Sequence, residues 1–114
     1  MFEESMYTGL IPIKMCSAVV TFDQFTPGWT LADIDEHAAG QPRCFVTKVS
    51  FDSPFSYIPL VHIAISGFDM DQRDSARLSV HAEAISAMDF DIVVQTWQYS
   101  RVYKVDVSWL ALGT

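Results

Sequence analysis

From Arg43 to Ala111 the chain runs in short stretches of alternating apolar and polar residues, each closed by a turn signal. Phe45, Thr47, Val49 and Phe51 share one face of the first stretch, and Val46, Lys48 and Ser50 share the other. A period of two predicts a strand, because successive side chains on an extended backbone point to opposite faces. Asp52-Ser53-Pro54-Phe55 reads as a turn. Pro59 has no N–H to give a ladder, so it fits only the start of the next strand, where Val61, Ile63 and Ile65 oppose Leu60, His62, Ala64 and Ser66. Gly67 to Ser75 reads as an acidic loop. From Ala76 to Ile85 the alternation is clean: Ala76, Leu78, Val80, Ala82 and Ala84 face in, and Arg77, Ser79, His81 and Glu83 face out. Phe90, Ile92, Val94 and Thr96 then alternate with Asp91, Val93, Gln95 and Trp97. In the last stretch Tyr103, Val105, Val107, Trp109 and Ala111 oppose Lys104, Asp106, Ser108 and Leu110. The simplest link between the last two strands is a hairpin, with Trp97 at its tip.

The first forty residues are less regular. Tyr7 to Ile13 and Cys16 to Phe22 are β-branched-rich and read as two strands separated by Lys14-Met15. Thr26-Pro27-Gly28-Trp29 breaks regular structure, and Leu31 to Arg43, with Asp33, Asp35, Glu36 and His37, reads as a long loop. No 3.6-residue period is sustained anywhere. The expectation is an all-β antiparallel sandwich, and 114 residues suit a single domain, 1–114. Within it, 1–42 supply N-terminal strands and a variable loop, and 43–112 form the core.

Charge narrows the partners. A net charge of −7 repels phosphate backbones and anionic lipid, which argues against nucleic acid and membrane insertion. No apolar run approaches the 18 or so residues of a spanning helix, and Met1-Phe2-Glu3-Glu4 lacks the basic start of a signal peptide. The chain is expected to be soluble, and a secreted or surface-displayed location stays open. Cys16 and Cys44 are too few for a disulfide scaffold or a four-ligand zinc site, and both are expected as small buried residues.

Little in the sequence suggests catalysis. His81-Ala82-Glu83 matches half of a zinc deaminase signature, but the downstream Pro-Cys-x-x-Cys is missing and the residues lie on a strand. Asp69, Asp71 and Asp74 have the composition of a calcium loop without its glycine turn or terminal glutamate, so calcium is a minority expectation and no cofactor is implied. His37, His62 and His81 are dispersed, and no nucleophile elbow is present. Flat aromatic rings at a loop edge with an arginine nearby suit a ligand with one apolar face and several hydroxyls, which describes a sugar. The alternative is that Trp97 and Tyr103 simply cover the sandwich edge.

These residues carry a resemblance. Val49-Ser50-Phe51 with Pro54-Phe55 and Pro59, Gly67-Phe68-Asp69-Met70-Asp71-Gln72, Arg77 and its strand, Phe90, Thr96-Trp97, Val102-Tyr103 and Ser108-Trp109-Leu110-Ala111 resemble H-type lectins from about Arg43 to Ala111. The resemblance implies a six-stranded antiparallel sandwich that forms a homotrimer, with hexamers as dimers of trimers. It also implies galactose or N-acetylgalactosamine sites between neighbouring subunits, glycoconjugate partners and no catalysis. By position, Arg77 resembles the arginine that binds sugar hydroxyls, Trp97 the packing aromatic and Tyr103 a further wall. Gln98 stands where the family often has His. Gly40 stands where the family's aspartate from the adjacent subunit is expected, and Asp35, Glu36 or His37 replace that acceptor only if the loop is rearranged. Two other functions compete: a structural trimerisation or attachment-tip domain, and a hydrolase built on loop carboxylates. His81 and Glu83, on the strand that carries Arg77, either lie near the trimer axis or form an ordinary solvated face, and a His81 packed between subunits would make assembly depend on pH.

Overall fold

The structure is a computed structural model that describes residues 2–8, 11–34 and 40–114, with side chains from Pro12 onward. Seven strands are described: β1 Phe2–Thr8, β2 Ile11–Asp23, β3 Arg43–Ser50, β4 Leu60–Met70, β5 Ser79–Glu83, β6 Asp89–Thr96 and β7 Val102–Gly113. They form two antiparallel sheets, β1-β2-β7-β4 and β3-β6-β5. The six strands from β2 to β7 are the expected sandwich, and β1 adds a seventh along the free edge of β2.

Alternation sets which residues meet between the sheets. Phe90, Ile92, Val94 and Thr96 of β6 are fully buried, and so are Val105, Val107 and Ala111 of β7, with Trp109 nearly so. Phe45 and Phe51 close the inner face of the smaller sheet, and Cys16 joins from β2. Burying each large apolar side chain contributes about 1.5–3 kcal/mol.

Several expectations about connection are corrected. β6 and β7 are not a hairpin, because they lie in different sheets and residues 97–101 cross between them. Period-two patterning reports which face is buried but not which strand is the neighbour. Lys14 and Met15 lie inside a continuous β2 rather than between strands, and Thr8 pairs with Ile11. Here Lys14 reaches across to the Ser53 hydroxyl and to the Ser53 and Pro54 carbonyls, with its ammonium over the Phe55 ring. β4 continues through Gly67 to Met70, so the acidic loop starts only at Asp71. The ladder slips between Ile65 and Gly67, where a side chain on Gly67 would fall 2.6 Å from Asp106 Oδ2. A glycine is what lets the bulge sit against that carboxylate. Cys44 is exposed rather than buried, whereas Cys16 is buried as expected.

The order of crossings positions the rest. Three links pass between the sheets at one end: 24–42 after β2, 71–78 after β4 and 97–101 after β6. At the opposite end lie the 51–59 crossing and the 84–88 turn within the smaller sheet.

Candidate functional site

The three crossing segments are bound to one another by polar groups. Ser100 is 2% exposed. Its hydroxyl donates to the Ser75 carbonyl and accepts the Arg77 N–H at 3.1 Å. Fully buried Thr96 donates its hydroxyl to the Arg77 carbonyl. Two side chains thus replace the ladder bonds that a longer β5 would have made. This corrects the expectation of a strand from Ala76 to Ile85: the ladder covers Ser79–Glu83, and Ala84 leaves it at a φ of 51°. The last ladder pair on this side is Ser79 with Gln95, and Arg77 and Trp97 each lie two residues beyond it.

Arg43 opens β3 and was not singled out by sequence reasoning. Its guanidinium donates to four carbonyls: Leu31 at 3.2 Å, Asp33 at 2.7 Å, Gln98 at 3.1 Å and Ser100. Five N–H groups in a fixed planar fork make such a clamp possible. It ties the first crossing segment to the third. Burial and the positive charge of Arg101 lower its pKa, while Asp33 opposes them. The one hint in the sequence was a lone cation after Pro42, at the end of an acidic loop. Further bonds seat the first segment on β7: Val102 N–H to the Leu31 carbonyl at 2.8 Å, and Trp29 Nε1–H to the Val102 carbonyl at 2.9 Å.

The predicted residues fall as follows. Trp97 is half-buried rather than standing free at a tip, and Gln98 and Tyr99 are more exposed. Gln98 adopts a φ of 59°, in the left-handed region. Gly40, at a φ of 90°, faces it: a Cβ there would lie 3.6 Å from Gln98 Oε1. Gly40 and Gln98 are therefore neighbours within one chain. Tyr103 is part-buried at the start of β7 and donates its hydroxyl to Asp71 at 2.9 Å. Asp71 also accepts two 2.9 Å bonds from Arg73 Nε and pairs with the Arg73 Nη2. Those bonds hold its carboxyl well below the usual carboxylate range. The Arg77 guanidinium makes one long bond, 3.5 Å, to the Ser75 carbonyl. Asp35, Glu36 and His37 lie outside the described residues.

Other candidates resolve differently. Asp71 is engaged by Arg73 and Tyr103, and among the described residues no three His, Cys, Asp or Glu groups converge as metal ligands. His81 Nε2 lies 2.7 Å from Glu83 Oε1 on the outer face of the smaller sheet. No helix among the described residues is long and apolar enough to cross a membrane. Two shallow hollows lie on other surfaces, one of about 120 Å³ at Ser50, Phe51, Pro54, Met88 and Asp89, the other of about 160 Å³ at His62, Ser108, Trp109 and Leu110.

The three crossings thus bring arginine, tryptophan, glutamine and tyrosine to one end of the sandwich. The chain belongs to the H-type lectin domain family, whose model matches residues 46–112. It is similar to the protein "ATP synthase subunits region ORF 7" of Fuscovulum blasticum, 37% identical over 73 residues. That match covers 64% of this chain and 64% of the relative, less than two thirds of either. Among solved structures it is similar to recombinant native discoidin II of Dictyostelium discoideum, with a TM-score of 0.73 over 88% of this chain, and to the wild-type protein, with 0.74 over 89%. Both are 22% identical to it, so the likeness is one of fold, and each match covers 36% of the discoidin chain.

Proposed function

We propose that this chain is a lectin domain that binds galactose-type glycans, galactose or N-acetylgalactosamine, through its three-segment end and without chemical turnover. The observation that supports it most is the Ser100 and Thr96 network, which fixes the Arg77 backbone at the end where Trp97 also lies. A guanidinium supplies several donors in fixed geometry to vicinal hydroxyls, and an indole covers the C–H face of a pyranose. Gln98 adds a donor and an acceptor, and Tyr103, oriented by Asp71, forms a further wall. Gly40 offers backbone only, so an acceptor from elsewhere, Asp35, Glu36 or His37, would complete the site. Family membership supports a homotrimer with sites between subunits, and assembly would raise the avidity of weak single sites.

A glycan array on the purified protein tests this reading. Binding to terminal galactose-type sugars should disappear in Trp97→Ala and Arg77→Ala. Silence on every glycan from a folded protein would contradict it. Sedimentation then tests the trimer.

A second reading, an attachment domain within a larger assembly, is supported by the far end, where Tyr57, Ile58 and Leu60 are 77%, 70% and 71% exposed. It predicts that substitutions there, and not at Arg77, abolish attachment.

A further inference from the structure

The outer faces of the two sheets differ in the half of the sandwich away from the three-segment end. On the larger sheet the outward positions of β2, β7 and β4 line up in cross-strand rows: Met15-Leu112-Leu60, Ser17-Leu110-His62 and Val19-Ser108-Ala64. None of the nine is Asp, Glu, Lys or Arg, and six are apolar. Charges begin in the next rows, Thr21-Asp106-Gly67 and Asp23-Lys104-Asp69, toward the three-segment end. The smaller sheet is the opposite. Its outward positions in the same half are the row Lys48-Asp91-Glu83 and the pair Ser50-Asp89, with Lys48 3.5 and 3.7 Å from Asp91 and Asp89.

A sheet with one face in water keeps polar residues on that face, whereas strands covered on both faces read as continuous apolar runs. β4 from Leu60 to Ile65 is apolar at every position but His62, and β7 from Val107 to Leu112 at every position but Ser108. Yet Leu60 is 71% exposed and Val19 65%. β1 extends the sheet sideways along β2, with Glu4 paired to Met15, and does not cover the rows. Strands about 4.8 Å apart and rows about 7 Å apart make the apolar side chains one contiguous block, and the hollow at His62, Ser108 and Leu110 lies within it. Contiguous apolar patches on a folded surface mark interaction sites.

Charge selects the occupant. A basic partner would be met by carboxylates, and the nine positions hold none. A chain of net charge −7 repels its own copies wherever its carboxylates are displayed. In a two-fold contact each patch faces an identical patch, so the face that joins two copies has to be uncharged and apolar at its centre. The three rows meet that condition, and the Lys48-Asp91-Glu83 row does not.

We infer that the outer face of the larger sheet is covered by the same face of a second copy of this chain, with Leu60, Leu112 and Val19 of each packed on the other and the charged rows left at the rim. Two sheets packed face to face lie about 10 Å apart. The contact is independent of the lectin reading. It leaves the three-segment end open, and trimers, where they form, would be joined by it in pairs.

Sedimentation equilibrium of the full chain tests this by counting copies. The wild type should form an even-numbered assembly. Leu60→Lys and Val19→Lys should each halve its mass, because either one sets like charges against each other in a buried apolar contact. Both positions are largely exposed in the single chain, so both variants should keep the wild-type circular dichroism. Met88→Lys, as exposed as Val19 but on the turn of the smaller sheet, should leave the mass unchanged. A monomer or an odd-numbered wild-type assembly overturns the inference. So does a mass unchanged in either Leu60→Lys or Val19→Lys, or one halved equally by Met88→Lys.

Discussion

The two ends of this sandwich are held by different forces. At the far end, Phe51, Phe55, Phe90 and Trp109 form a continuous ring cluster, with Phe90 and Trp109 centroids 5.2 Å apart and Phe51 and Phe55 4.9 Å apart. The contacts are edge-on or tilted, as ring quadrupoles favour. Among the described residues the buried Trp109 indole N–H has no hydrogen-bond partner there. At the three-segment end a smaller ring cluster of Phe22, Phe45 and Trp29 is joined by hydroxyls, carbonyls and guanidiniums, with Ser100, Thr96 and Arg43 as the ties. Apolar packing is non-directional and secures stability, whereas hydrogen bonds fix orientation. An end that presents donors and an aromatic face to a polar ligand, as proposed, needs the second kind of holding.

Substitutions should separate the two. The largest loss of stability is expected for Phe90→Ala, about 3–5 kcal/mol, from the deleted ring and the cavity it leaves. Urea denaturation reads this, and sugar binding per folded molecule should stay near wild type. Ser100→Ala strips partners from the Ser75 carbonyl and the Arg77 N–H. It should cost about 1–3 kcal/mol and should weaken binding as well, because Arg77 is no longer fixed. Arg43→Lys should be milder in stability yet still weaken binding, since one ammonium cannot serve four carbonyls spread over two segments. Calorimetry beside denaturation would show binding falling by a larger factor than stability. Should Arg43→Lys bind as wild type, the clamp has no part in the site.

The smallest effect is one of pH. Asp71 is depressed in the folded state, so its stabilising contribution is present above the unfolded carboxylate value of about 3.9 and is lost only as the pH falls below it, through the folded value. Between pH 7 and 4 the Asp71 bonds to Arg73 and Tyr103 should therefore hold. NMR of the Tyr103 ring, with Asp71→Asn as control, should show no titration in that range. A midpoint near 4 would mean that the pairing is not maintained.

This contrast also explains what could be read in the chain. The inward rows Phe90-Ile92-Val94-Thr96 and Val105-Val107-Trp109-Ala111 were legible because burial on one face imprints a period of two. Their assignment to different sheets was not, since alternation is the same whether the next strand pairs or crosses. The bulge at Gly67 was hidden because Phe68 and Met70 continue an apolar pattern through a slip in register. Of the proposed site, Arg77, Trp97 and Tyr103 were singled out by their chemistry and by resemblance. Arg43 was missed because its partners are main-chain carbonyls, which every residue carries and which leave no pattern in the sequence. Ser100 was missed for the same reason.

The central claim is that the polar end, and not the apolar one, binds sugar. The most direct measurement is glycan binding by the wild-type protein, by Trp97→Ala at the three-segment end and by Tyr57→Ala at the far end, each checked for folding. The account predicts that binding is lost in Trp97→Ala and unchanged in Tyr57→Ala. Undiminished binding by Trp97→Ala, or its loss in Tyr57→Ala, would contradict it.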